Sequence, residues 1–341
     1  MKSSHQLRQA MVQRLLRRTT ASGQLRLPAV PALLDEIHSL CEQVFGSLGI
    51  RFDPGQQAHF RRVLADQLSE AYEASPRAEI VVAYEAPGGF TVTYTVTPQP
   101  RSLGQTYDQW VETRQPPYFG TAADSRVIAL ANDLADPATS PVLDIGAGTG
   151  RNALALARRG HPVDAVELSA QFAAILRDEA QLQSLSLHVI ERDIFASWQD
   201  LRRDYCLVVL SEVTADFFST IQLRLMFEIA AQCLAPGGML VFNIFLPRLG
   251  YAPDVAARQL GLQVYTSIFT YPEVAAATSG LPLALVADDS VYCYEQSHLA
   301  KSDWPPTSWY ADWVSGLDVF DVSRLESPIE MRWLVYRKIA V

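Results

Sequence analysis

The chain has 341 residues, 49% of them hydrophobic and 19% charged, which is length and apolar content for about two domains with cores of their own. No apolar run reaches the roughly 18 residues that cross a bilayer, so no membrane partner is expected. The four cysteines form no C-x-x-C pair and the six histidines stand apart, which argues against a disulfide framework and a metal site and for a reducing, cytoplasmic setting.

The net charge of −9 is unevenly spread. Residues 1–34 carry +6 from Lys2, Arg8, Arg14, Arg17, Arg18 and Arg26 with no acid, leaving −15 for the remainder. So acidic a body argues against nucleic acid as a partner, because phosphate neutralisation dominates that binding. The basic start has no apolar h-region and is no secretory signal. An organelle presequence and a solvated helix face on 6–18 remain as its readings, the second being the simpler.

In chain order, Leu7, Met11 and Leu15 recur at helical spacing over 6–18, and Leu33, Ile37, Leu40, Val44 and Leu48 do so over 33–48. Gly49 and Asp53-Pro54-Gly55 break the chain, and a third helix runs over 56–72 to Ser75-Pro76. Two β-rich runs, 79–84 and 90–97, flank Pro87-Gly88-Gly89 and predict a hairpin. Residues 1–100 therefore read as an N-terminal helical plus β-hairpin domain, serving as docking surface, lid or dimer contact. From 141 the rhythm changes. Strands are predicted at 141–145, 163–167, 187–191, 205–210 and 239–245, and helices at 152–159, 169–180 and 218–234. A segment rich in aromatics, 247–316, separates these from two last strands at 317–322 and 331–339. The predicted fold class for 101–341 is α/β: a doubly wound, mostly parallel seven-stranded sheet.

The first of these strands runs through Asp144-Ile145-Gly146-Ala147-Gly148-Thr149-Gly150 straight into a helix. Glycines there let the backbone turn tightly and approach a ligand, and the helix presents unpaired N–H groups to it. A dinucleotide fingerprint, G-x-G-x-x-G, would need glycine where Arg151 stands. Glu167 ends the second strand at the distance of the acid that binds ribose hydroxyls in nucleotide folds.

The pattern D-x-G-x-G-x-G resembles motif I of the class I, Rossmann-like S-adenosylmethionine-dependent methyltransferases. The resemblance covers about 105–341. It implies S-adenosylmethionine as cofactor, its methionine part held by Asp144, Gly146, Ala147, Gly148, Gly150 and Asn152, with Ser211 beyond the fourth strand. It implies Glu167 and Leu168 at the ribose. In Glu191-Arg192-Asp193-Ile194, it implies Asp193 at the adenine amino group and Ile194 over the ring. Leu234-Ala235-Pro236-Gly237-Gly238 resembles the family's turn into the fifth strand. Gly150-Arg151-Asn152-Ala153-Leu154 is similar to the tract in tellurite- and thiopurine-modifying enzymes. Tyr107-Asp108-Gln109-Trp110 resembles the lid segment of many small-molecule enzymes, or is an ordinary amphipathic helix start.

In that family the residues after the fourth strand face the methyl group. Glu212 is the candidate base or acceptor contact, with Asp216 behind it and Tyr107 from the lid segment. A carboxylate in such a place is also often a helix N-cap, which suits Asp216. Gln115-Pro116-Pro117-Tyr118 looks like the Asn-Pro-Pro-Tyr motif of amide methylation but precedes motif I, so that role does not carry over. Tyr118 then caps the site or anchors a stiff linker. Asn243 and Trp304, the latter before two prolines, are the remaining candidates for acceptor contact. The expected function is methyl transfer to a small soluble acceptor. A protein side-chain methyltransferase docking through its N-terminal domain, and a non-catalytic cofactor-binding module, are the alternatives.

Overall fold

The computed structural model describes residues 4–16, 18–88 and 91–339. The chain forms two compact units, Met1–Leu103 and Gly104–Val341.

The N-terminal unit runs α1 (Ser4–Leu16), β1 (Thr20–Pro28), α2 (Leu34–Ser47), α3 (Pro54–Ala74), β2 (Glu79–Pro87) and β3 (Thr93–Gln99). Asp53 and Gln56 close a capping box at the start of α3, with Pro54 in its first turn. The strands form an antiparallel sheet in the order β1-β2-β3, with Leu25 opposite Val82 and Val82 opposite Val96. The aromatic rings of Phe45, Phe52, Phe60 and Tyr94 pack together over this sheet, and Phe60, Leu64 and Leu68 are fully buried. The expected hairpin is thus a three-stranded sheet. Strand β1 escapes a sequence reading because its core face offers only Leu25 and Leu27. Gly23 extends that face where a Cβ would stand 2.5 Å from the Tyr84 hydroxyl oxygen.

The C-terminal unit continues with α4 (Leu103–Thr113), α5 (Ser125–Asn132), β4 (Val142–Ile145), α6 (Arg151–Arg158), β5 (Val163–Glu167), α7 (Ala170–Leu182), β6 (Leu187–Glu191) and α8 (Ile194–Ser197). Then follow β7 (Tyr205–Leu210), α9 (Thr220–Cys233), β8 (Leu234–Pro247), α10 (Val255–Gln263), α11 (Tyr271–Thr278), β9 (Leu283–Ser290), α12 (Val291–His298), α13 (Tyr310–Trp313) and β10 (Ile329–Lys338). Seven strands lie in the order β6-β5-β4-β7-β8-β10-β9; β6 to β8 run parallel and β10 pairs antiparallel with both neighbours. Successive residues of β7 go to opposite cores, Leu207 and Val209 to one and Val208 and Leu210 to the other. That explains why the central strands read as continuous apolar runs.

Three expectations are corrected. The stretch 317–322 is no strand: its amides fold back on Gly316 and Phe320 in successive turns. The sheet's seventh member is β9, inside the segment read as an insertion. It is an edge strand whose acids are anchored sideways, Asp288 to Arg332 and Asp289 to Arg126. The turn expected at 236–238 lies within β8, where the register with β7 shifts between Tyr205 and Leu207.

Candidate functional site

At the carboxyl end of β4 the chain turns through Gly146, Gly148 and Gly150, all at positive φ (70°, 55° and 95°). Side chains at the first two would strike neighbours: a Cβ on Gly146 would overlap Val213, and one on Gly148 would lie 3.2 Å from the Phe119 ring. The amides of Gly146 and Ala147 both donate to the Val166 carbonyl, at 2.8 and 3.1 Å, which ties the loop to β5. Asp144 is buried beneath it with Oδ2 unpartnered. Burial and the nearby Asp124 push its carboxyl up to about 8, against the pull of Arg151. Glu167, at the end of β5, accepts from the Gly148 amide and the Ser169 amide, each at 2.7 Å. Burial raises its pKa, and these backbone donors draw it back down. Leu168 beside it is exposed, as is Asp193, whose Oδ1 caps α8 by accepting from the Phe195 amide at 2.9 Å; Ile194 is half-buried.

Beyond β7 and β8 the structure gathers a charged cluster that the sequence did not announce. Arg151, its side chain 7% exposed, reaches Glu212 at 2.6 Å and Asp124 at 3.1 Å. Asp124 also accepts from Ser211 at 2.6 Å and from Asn152 Nδ2 at 2.7 Å, while its own amide donates to Asn152 Oδ1 at 2.9 Å. Asn152, expected against the cofactor, therefore has both ends of its amide engaged with Asp124. Glu212 sits at φ 66°, its amide donating to Asn243 Oδ1 at 2.6 Å. Burial first, then Asp124, raises the Glu212 carboxyl above its ordinary value, and Arg151 opposes this. Glu295, fully buried, accepts from the amides of Ser125 and Arg126 and from the Trp333 indole at 2.7, 3.2 and 3.0 Å, so it caps α5 from a distant part of the chain.

The flanking segments close around these strand ends. The Tyr107 hydroxyl donates to Asp216 in a very short hydrogen bond, the Ser169 hydroxyl to Asp108 at 2.6 Å, and the Trp110 indole to the Tyr265 hydroxyl at 3.1 Å. Asp216 is therefore not the cap of α9, a place taken by Ser219. Tyr118 and Phe119 both pack on Phe172, with ring centroids 5.5 and 5.4 Å apart. Gly120 approaches Pro306 so closely that a Cβ would lie 2.9 Å from it, which brings the Pro116-Pro117 segment against the loop of Trp304. Trp304 in turn meets Tyr310 edge to face at 5.9 Å. A cavity of about 620 Å³ near Arg248, Tyr271 and Arg332 includes none of these residues.

Sequence reasoning missed Asp124, Arg151 and Glu295. Asp124 reads as a routine N-cap and Glu295 as a surface acid on a short helix. Only Arg151, standing where a glycine would complete another fingerprint, carried a signal.

Residues 142–238 match the family model described as a methyltransferase domain. These residues form a methyltransferase domain, and the C-terminal unit around them has the class I, Rossmann-like fold. S-adenosylmethionine is the cofactor that such a domain implies. No curated protein matches the chain. The crystal structure of the [4+2]-cyclase SpnF is similar to it at 16% identity, over 70% of this chain and 96% of that one, with a TM-score of 0.50. A geranyl diphosphate methyltransferase in complex with GPP and sinefungin is similar at 12% identity, over 69% and 99%, with a TM-score of 0.51. At these identities the likeness is one of fold. The loop suits that cofactor in two respects: three glycines at positive φ let the backbone turn where side chains would crowd Val213, Phe119 and Leu176, and the unpartnered Asp144 oxygen lies buried beside it. Among the described residues no cluster of metal-ligating side chains occurs and no helix is long and apolar enough to cross a membrane.

Proposed function

We propose that this methyltransferase acts on a small acceptor held between the strand ends and the chain's own 247–316 segment. The observation that carries this is the enclosure of Glu212: Arg151 and Asn243 fix it from below, and Tyr310, 1% exposed, lies close enough to feel its charge. A protein side chain would have to displace that wall, which favours a small acceptor.

The loop 146–150, with Asp144, would hold the methionine part, Glu167 and Leu168 the ribose, and Asp193 with Ile194 the adenine. S-adenosylmethionine supplies a methyl carbon on a positively charged sulfur, which departs as a neutral thioether with the bonding pair. The acceptor sheds one proton for each methyl it gains, and Glu212 is the carboxylate positioned to take it, its basicity raised by burial. Tyr107, fastened to Asp216, holds α4 over the site and keeps water out. Four cysteines without disulfide partners agree with a cytoplasmic setting.

The first test is calorimetric titration with S-adenosylmethionine and S-adenosylhomocysteine. Affinity in the micromolar range, about −8 kcal/mol, that weakens sharply in Asp144→Ala and Glu167→Ala supports the cofactor assignments; unchanged affinity in both removes them.

One observation favours a protein acceptor. The described part of α1 is exposed along its length, presenting Arg8 and Arg14 to solvent beside Leu7 and Met11. Docking of an acidic partner is tested by deleting residues 1–18. The cut stops short of β1, whose loss would strip β2 of a pairing strand. Unimpaired methylation at low salt would eliminate this reading.

A further inference from the structure

Around Glu212 three buried polar groups end without a partner: Arg151 Nη1, Asn243 Nδ2 and the Tyr310 hydroxyl. Asn243 is wholly buried and Tyr310 is 1% exposed, so bulk water does not satisfy them. Arg151 and Asn243 both bond Glu212, and Tyr310 lies within the field of Asp124, Glu212, Arg151 and Glu295. Native proteins rarely leave such donors unmet, and three of them grouped about Glu212, one on its carboxylate and one on its amide, describe the complement of a ligand.

The class of that ligand follows by elimination, granted the reading of Glu212 as part of the acceptor site. A carboxylate would face Glu212, Asp124 and Glu295 with only Arg151 to offset them, and Arg151 is already shared between two of the three. An alkyl amine would be held protonated by the same acids and would have no lone pair to give. A thiol is too weak an acceptor for two strong donors. A neutral hydroxyl fits: it donates to the Glu212 carboxylate and accepts from Asn243 Nδ2 and the Tyr310 hydroxyl. The rings of Trp304 and Trp309, 5.9 and 6.2 Å from that of Tyr310 and both half-buried, offer flat apolar walls for an aromatic body.

We propose that the acceptor is a small phenol, bound through its uncharged hydroxyl by Glu212, Asn243 and Tyr310.

The test is calorimetry on the full chain saturated with S-adenosylhomocysteine, titrated at pH 7 with phenol, benzylamine, benzoate and toluene. Phenol is expected to bind about ten-fold tighter than the other three, as hydrogen bonds in a water-excluded site warrant. Tyr310→Phe and Asn243→Asp, the latter keeping the acceptor for the Glu212 amide, should each weaken phenol several-fold and leave S-adenosylhomocysteine affinity unchanged. Tighter binding of benzoate or benzylamine, toluene equal to phenol, no binding of any probe, or a Tyr310→Phe protein indifferent to the lost hydroxyl would overturn the assignment. Failure to bind S-adenosylhomocysteine would be read first and would remove the underlying reading of the site as well.

Discussion

Glu212 holds a backbone conformation that costs a non-glycine residue about 1–3 kcal/mol, and it does so within reach of a buried guanidinium. Such strain persists where the surroundings over-determine it, here through the Asn243 carbonyl on its amide and Arg151 on its carboxylate. Glu212→Gln keeps the backbone and most of the packing. It is expected to lower kcat by about 10²–10⁴-fold, the range for removing a general base, while calorimetry shows unchanged S-adenosylhomocysteine affinity. Retained turnover would take Glu212 out of the chemistry. Asp144 offers a different test. Its carboxyl is raised from an ordinary 3.8 to about 8, so between those values the folded protein holds a proton that the unfolded chain has released. Stability therefore falls as pH rises through that window and levels off above it. Melting temperatures from pH 5 to 9 should show this decline, and Asp144→Asn should flatten it.

Among the elements, α5 is capped by a residue about 170 positions away. Glu295 satisfies two of its first amides and the Trp333 indole, and through Asp124 this helix start also anchors Arg151 and Ser211. Glu295→Ala leaves those donors buried and unmet, and an expected loss of about 2–3 kcal/mol in denaturant unfolding follows. If the stability were unchanged, the cap would be ornamental. Helix α4 is held by three hydrogen bonds from a single turn, at Tyr107, Asp108 and Trp110, so Tyr107→Phe should raise the KM for the cofactor several-fold with little change in melting temperature. What the sequence disclosed follows this division. The glycine loop and the strands β4 to β8 were legible because they obey local rules of period and turn chemistry. Strand β9 was missed because Asp288 and Asp289 break its apolar pattern and bond sideways to arginines. Strand β1 was missed because its neighbour Tyr84, and not its own side chains, fills the space above Gly23. The cluster of Asp124, Arg151, Glu212 and Glu295 lay hidden for a related reason: its members meet only once the sheet exists, and none carries a local mark of its charge being buried.

At the scale of the whole molecule, the two units have separate cores that share no buried residue. Phe60→Ala, at a fully buried site, should cost the N-terminal unit about 3–5 kcal/mol while leaving S-adenosylhomocysteine affinity of the full chain intact. A parallel fall in both would show that the units are energetically one. The sheet of the second unit imposes an order of assembly. Strand β10 is made after β9 yet lies between β9 and β8. During synthesis β9 emerges with no sheet neighbour, and the edge of β8 stays open with Val241, Phe242 and Phe245 beside it. Until Trp333 and Leu334 arrive, a nascent chain carries an unpaired apolar edge, and the sheet closes only when the last strand made fills that gap.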